Sequence, residues 1–290
     1  MISENQIKSM IEDILSKMEA EAPVAKEEAP VCTPIDDANI PDITALETNK
    51  IFNVPNPENE DAYMKLKERT PARVGIWRAG PRYRTETLLR FRADHAVAQD
   101  AVFNNVSDEF IKDIGEFSVN TVCKDKDEYL TRPDLGRKFD EEAIKTLKEK
   151  CKAKPRVQIY VSDGLSSTAV ETNAKDAIMA IQQGLRAYNI EMGTPFFVKY
   201  GRVPAMDAVS EVLDAEVTVV LIGERPGLAT GESMSCYMAY KATVGMPESN
   251  RTVISNIHKG GTPAAEAGAH IADIIKKMLD NKASGLDLKL

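Results

Sequence analysis

The amino-acid sequence predicts a mixed α/β fold with a mainly parallel sheet, and two observations carry that expectation. Four short apolar runs rich in β-branched and aromatic residues follow one another after residue 155: RVQIYV (156–161), TPFFVKY (194–200), VTVVLIG (217–223) and TVISNI (252–257). Three of them lead into helix-compatible stretches, so strand and helix patterns alternate as βαβ crossovers require. Strands this continuously apolar must be covered on both faces, which places helices on each side of the sheet.

Taken in chain order, residues 5–19 set Ile7, Met10, Ile11, Ile14, Leu15 and Met18 at helical spacing, a narrow apolar stripe on a polar segment. The following stretch, AEAPVAKEEAPVCTPIDDANIPD, has too little apolar surface to pack and several prolines that block regular structure, so it reads as a linker. A stripe on a tether can dock onto something else or remain a frayed tail. Residues 60–150 are mostly helical and polar, as in RTETLLRFRADHAVAQDAV and DEEAIKTLKEKCKA, with no strand run standing out. The α/β pattern then begins, with helices expected over 174–188, over AMDAVSEVLDA and over 264–281. The expected organisation is a flexible tail over 1–45, a helical region over 46–150, and a Rossmann-like α/β domain over 151–290.

Ligands of such sheets bind beyond the carboxyl ends of the strands. That selects four loops: Ser162-Asp163-Gly164-Leu165-Ser166-Ser167, Gly201-Arg202-Val203, Gly223-Glu224-Arg225-Pro226-Gly227 and His258-Lys259-Gly260-Gly261-Thr262. All are polar or glycine-rich, as close approach of backbone to a ligand requires, although the same residues also fill ordinary turns.

Several chemistries are not expected. The net charge of −8 gives bulk electrostatics no reason to favour nucleic acid or an anionic membrane. Cys32, Cys123, Cys151 and Cys236 lie too far apart for a zinc motif and are too few for a disulfide scaffold, which fits a reducing, cytoplasmic compartment. No apolar run approaches a membrane-spanning length, and the beginning of the sequence lacks a basic-then-apolar leader pattern. Neither Gly-x-Gly-x-x-Gly nor a phosphate-binding Gly-x-x-x-x-Gly-Lys-Ser/Thr occurs. His95, His258 and His270 have no second ligand at metal-site spacing, and Ser166 and Ser167 lack a nucleophile elbow. His258 reads either as an acid or base near a strand end or, more commonly, as a polar cap. The stretch RVGIWRAGPRYRTETLLRFRADHA interleaves Arg73, Arg78, Arg82, Arg84, Arg90 and Arg92 with Trp77, Tyr83 and Phe91, the residue types that protein interfaces favour.

The segments ARVGIWRAGPRYRTETLLRFRADHA, YLTRPDLGR, VSDGLSS, GTPFFVKYGRV, GERPGLATGESMSCY and ISNIHKGGTPAAEAG, in this order, resemble the small (light) subunit of ethanolamine ammonia-lyase. The resemblance spans roughly residues 70–268 and implies an α/β subunit packed on a (β/α)8-barrel large subunit in a hetero-oligomer, with adenosylcobalamin between them. It implies radical conversion of ethanolamine to acetaldehyde and ammonia, with the substrate-binding side chains on the large subunit and no catalytic residue or metal ligand in this chain. Carried over by motif, Val203, Glu224 and Val253 are the expected cofactor contacts, with Ser162, Asp163 and Arg202 as further candidates. Other members often carry cysteine at the position of Val253, so only packing or backbone contact carries over there. Asp94-His95 lacks the spacing of a histidine that replaces the lower axial base, so the cofactor is expected to keep its own dimethylbenzimidazole. The N-terminal helix looks like an encapsulation peptide that docks to the shell of a bacterial microcompartment. The alternative from another class is a nucleotide-binding or scaffold module with no enzyme partner.

Overall fold

The computed structural model describes residues 50–115 and 117–289, together with Lys8, Ser9, Glu12, Asp42 and Glu47. The chain divides into two units, Met1–Asp42 and Ile43–Leu290, and the fold below is that of the second. Lys8, Ser9 and Glu12 are helical; otherwise the expected N-terminal helix and nearly all of the expected linker lie outside the described residues.

The second unit begins with α1 (Glu60–Lys67), a two-residue antiparallel hairpin of β1 (Arg78–Ala79) and β2 (Arg82–Tyr83), α2 (Thr85–Phe103) and α3 (Asp108–Ile114). The sheet is six-stranded, in the order β3-β5-β4-β6-β7-β8. Its strands are β3 (Ser118–Asn120), β4 (Val157–Ser162), β5 (Phe196–Lys199), β6 (Val217–Gly223), β7 (Met234–Tyr240) and β8 (Thr252–Ile257). The first four in sequence run parallel, while β7 is antiparallel to both β6 and β8. Between and after them lie α4 (Lys126–Thr131), α5 (Glu141–Lys150), α6 (Ser167–Ala187), α7 (Ala205–Leu213) and α8 (Ala264–Asn281).

Successive strand residues point to opposite faces, and the two faces build two cores. Val157, Ile159 and Val161 of β4 and Val217, Val219 and Leu221 of β6 pack with α6 and α8. Tyr160, Val220 and Ile222 from the same strands pack with Phe196, Val198 and the inner faces of α5 and α7. Every residue of β4 and β6 is buried, as a strand covered on both sides must be. Helices on both faces, expected from the sequence, follow from this division. On the first face α6 and α8 approach closely, because a Cβ on Gly268 would stand 2.6 Å from the Ala180 Cβ and 2.7 Å from the Ala177 carbonyl.

Local sequence explains the helix ends. Ser166 Oγ accepts from the Ala169 N–H (3.1 Å) to start α6, and Asp140 accepts from Ala143 (2.8 Å) to start α5. α7 and α8 end on Asp214 and Lys282 in the left-handed conformation that closes a helix.

Four strands depart from the sequence reading. The stretch over 60–150, read as free of strands, supplies the β1–β2 hairpin and, at one edge of the sheet, β3; two or three residues are too few to show a period. Its pairing with β5 joins residues on either side of position 150 in one sheet. The segment MSCYMAY, not read as a strand, forms β7, so β8 joins through an antiparallel neighbour rather than by a crossover from a parallel one. Met, Ser, Cys and Ala have weak strand preference, and pairing along the full length of β6 overrides it.

Candidate functional site

The carboxyl ends of β4 and β5 are bound together by Asp163. This carboxylate, 1% exposed, accepts the N–H of Tyr200 (2.8 Å) and of Gly164 (3.0 Å) and lies 3.3 Å from Ser162 Oγ. Tyr200 follows β5 and has φ +60°, a left-handed conformation rare for an aromatic residue. The hydrogen bond from its N–H to Asp163 helps hold that turn. Beyond it the chain swings through Gly201 and Arg202 to Val203.

On the other side, the β4 loop lies directly on the end of β6. Leu165 N–H donates to the Gly223 carbonyl (2.9 Å), and a Cβ on Gly223 would stand 2.1 Å from the Ser166 carbonyl oxygen. Only glycine allows that approach. Glu224, the next residue, is half-buried; its Oε1 accepts from the Tyr237 hydroxyl at 2.9 Å. Tyr237 stands opposite Val253 in the β7–β8 ladder, so the two side chains share a face of the sheet. Val203 and Tyr237 both pack against the core under α5 and α7. Val203, Glu224 and Val253, far apart in sequence, therefore lie toward one face, with Val253 48% exposed.

The remaining candidates take other places. Ser162 and Asp163 are fully buried, and their polar atoms hold neighbouring loops. Arg202 is half-buried; its Nη2 donates to the Tyr129 carbonyl (2.7 Å), its guanidinium lies 4.2 Å from the centre of the Tyr129 ring, and its N–H donates to Gly136. His258 is engaged within its own loop: Nδ1 accepts from Gly260 N–H (3.1 Å), which leaves Nε2 to donate to Asn256 Oδ1 (2.8 Å).

Sequence reasoning did not single out Lys126, Tyr129 and Tyr237. Tyr129, at the head of YLTRPDLGR, is fully buried and donates to the Gly201 carbonyl at 3.2 Å. Lys126 Nζ lies 4.0 Å from Asp163 Oδ2 and above the rings of Tyr129 and Tyr200, at 5.4 and 5.9 Å from their centres. Nothing in the sequence distinguishes this lysine from its many solvated neighbours. Burial raises the Asp163 pKa, opposed chiefly by Lys126, and lowers that of Lys126, opposed by Asp163. Burial also raises the phenols of Tyr129 and Tyr237, to which the charges of Asp163 and Glu224 respectively add.

A second feature lies upstream. In all its 19 residues α2 buries only Ala101 outright, while Leu88, Leu89, Phe91, Val97 and Phe103 stay more than a third exposed. Arg73 bonds Asp94 and the Leu228 carbonyl and stacks on Phe91, and Arg78 stacks on the exposed Tyr83. Exposed apolar residues interspersed with arginine are the composition of an interface.

Fold and loops together define an α/β protein whose candidate binding rim stands at the carboxyl ends of a mostly parallel sheet. Residues 60–289 match the family model described as "Ethanolamine ammonia-lyase light chain (EutC)". Proteins named ethanolamine ammonia-lyase small subunit from Clostridium tetani and Fusobacterium nucleatum are each 56% identical, over 100% of both chains. One of that name from Listeria monocytogenes is 53% identical over 99% of this chain and 100% of its own. The chain belongs to the ethanolamine ammonia-lyase light-chain family, and so to the subunits of a carbon–nitrogen lyase.

Proposed function

We propose that this chain holds adenosylcobalamin against a catalytic large subunit, built as a (β/α)8 barrel, in the conversion of ethanolamine to acetaldehyde and ammonia. The observation that carries the reading is the gathering of Val203, Glu224 and Val253 toward one face of the sheet, the first two just past strand ends and Val253 near the start of β8. The residues fit an amide-fringed corrin. Glu224, with one oxygen engaged by Tyr237, has a second that can accept from a side-chain amide, and the two valines offer apolar contact. Ser162 and Asp163 shape the loops beneath, and Arg202 braces the turn that carries Val203. When bound, the cofactor would supply a carbon radical by homolysis of its cobalt–carbon bond; this chain's part is to bind, orient and exclude water. The exposed apolar residues of α2 and the arginine-bearing hairpin support docking to the large subunit.

Acetaldehyde release from ethanolamine with adenosylcobalamin is expected from the two chains mixed and from neither alone. Glu224→Ala should weaken cobalamin retention by the complex about tenfold, the effect of losing a hydrogen bond to a charged group. Turnover by this chain alone, or undiminished retention in the variant, would contradict the assignment.

We also propose that the chain works inside a bacterial microcompartment, addressed there by the apolar stripe of residues 5–19. A fluorescent protein carrying residues 1–19 should co-sediment with purified compartments and lose that association when Ile11 and Leu15 are changed to Glu. Equal packaging of both fusions would refute the address.

A further inference from the structure

We infer that Lys126 is a positioning residue for the strand-end site: its ammonium holds the carboxylate of Asp163, and through it the backbone that presents Val203 and Glu224. This rests on the reading that those loops hold a corrin cofactor.

The Asp163 side chain ties the ends of β4 and β5, and the loop it shapes is joined to the end of β6 by backbone contact. It accepts from Tyr200 beyond β5 and from Gly164 in its own loop after β4, and that loop lies against Gly223 at the end of β6. A carboxylate with 1% exposure would tend to take up a proton, and neutral Asp163 is a poorer acceptor for both N–H groups. Release of the Tyr200 N–H would let its left-handed backbone relax, and Val203 lies three residues further on.

Lys126 is the cation placed against this. Its Nζ is buried, makes no hydrogen bond among the described residues, and has Asp163 Oδ2 at 4.0 Å with the Tyr129 and Tyr200 ring faces around it. A surface lysine would turn its ammonium to water; this one faces the carboxylate and two aromatic quadrupoles. The surrounding charges are mixed. Lys199 at the end of β5 and Arg202 beyond it disfavour the charged form of Lys126, and Tyr129 comes from α4 itself. The charge of Glu224, beyond β6, adds to the upward push on the Tyr129 phenol. The ion pair thus couples α4 to the loops after β4 and β5, and through the β4 backbone to the end of β6.

The test uses the complex of this chain with its large subunit, with hydroxocobalamin as the probe and wild type, Lys126→Met, Lys126→Gln, Lys126→Arg and Asp163→Asn compared over about pH 6 to 8. Wild type should bind with little pH dependence. Both neutral Lys126 variants should lose about tenfold in affinity as pH falls across that range, the worth of one hydrogen bond to a charged group, because without the cation Asp163 takes up a proton more readily. Lys126→Arg should restore the flat profile, and Asp163→Asn, with no proton to gain, should be flat at a lower affinity. Amide hydrogen exchange over residues 196–203 should quicken at low pH in the neutral variants even without probe. Affinity and exchange equal to wild type in both neutral variants, or losses independent of pH, would overturn the inference while leaving the cofactor reading intact. Absence of cobalamin binding by the wild-type complex would instead defeat that reading, and this inference with it.

Discussion

Arg251→Met is expected to cost about 3–5 kcal/mol of unfolding free energy, because it leaves a buried carboxylate without its counter-ion. Arg251 Nη2 reaches both oxygens of Asp207, at 2.8 and 2.7 Å, and Nη1 meets Glu248 at 2.7 Å. The Arg251 and Asp207 side chains are 1% and 3% exposed, so water cannot take the guanidinium's place. Burial raises the Asp207 pKa, with Arg251 as the main opposing influence, and the Tyr160 hydroxyl, which feels the Asp207 charge, is buried with no hydrogen-bond partner among the described residues. The pair also fastens the start of β8 to α7. Asp207→Leu combined with Arg251→Met should recover most of the loss, since desolvating two charges offsets much of what their attraction contributes. Guanidinium unfolding of the single variant, the double variant and Lys145→Met, which breaks the exposed Lys145–Glu149 pair, gives the comparison. A midpoint for Arg251→Met no lower than for Lys145→Met would refute the assignment.

Gly223→Ala should be the most damaging single methyl in the strand-end site. The new carbon would stand 2.1 Å from the Ser166 carbonyl oxygen and 2.6 Å from that of Asp163. Both are backbone atoms, one in the N-cap residue of α6 and one in the loop held by Tyr200. Neither can swing aside as a side chain would, so the β6 end and the β4 loop must part. The expected cost is about 1–3 kcal/mol in stability, with loss of about tenfold or more in cobalamin affinity as Glu224 moves with the strand. Gly227→Ala, in the same loop with nothing within 4 Å of the added carbon, is the matched control and should be neutral in both. Equal effects of the two substitutions would show that the β6 end yields freely.

Much of this architecture is legible in the sequence because the central strands are long and apolar. β6 and β8 fall at their expected residues, and β4 and β5 within a residue or two. α8 matches its expectation end to end, whereas α6 begins seven residues before the helix-compatible stretch. Its first turns carry Ser and Thr, which also suit a loop, and the Ser166 cap decides for helix only once the backbone is placed. β7 hides for the opposite reason: its strand character comes from neighbours on both sides, and composition carries no trace of them. For the candidate site, the rule of strand ends selects the loops, and the resemblance selects Val203, Glu224 and Val253 as expected contacts. Neither selects Lys126 and Tyr237, because a lysine over two rings and a hydroxyl on a carboxylate are products of chain crossings with no local signature.

The exposed apolar residues of α2 bear on how the protein must be made. A chain that keeps Leu88, Leu89, Phe91, Val97 and Phe103 in water is sticky from the moment it folds. Copies in excess of whatever covers that helix are candidates for aggregation and for proteolytic clearance. Selection then falls on matched synthesis of two polypeptides as well as on the contact between them, and unequal gene dosage becomes a hazard written into one helix.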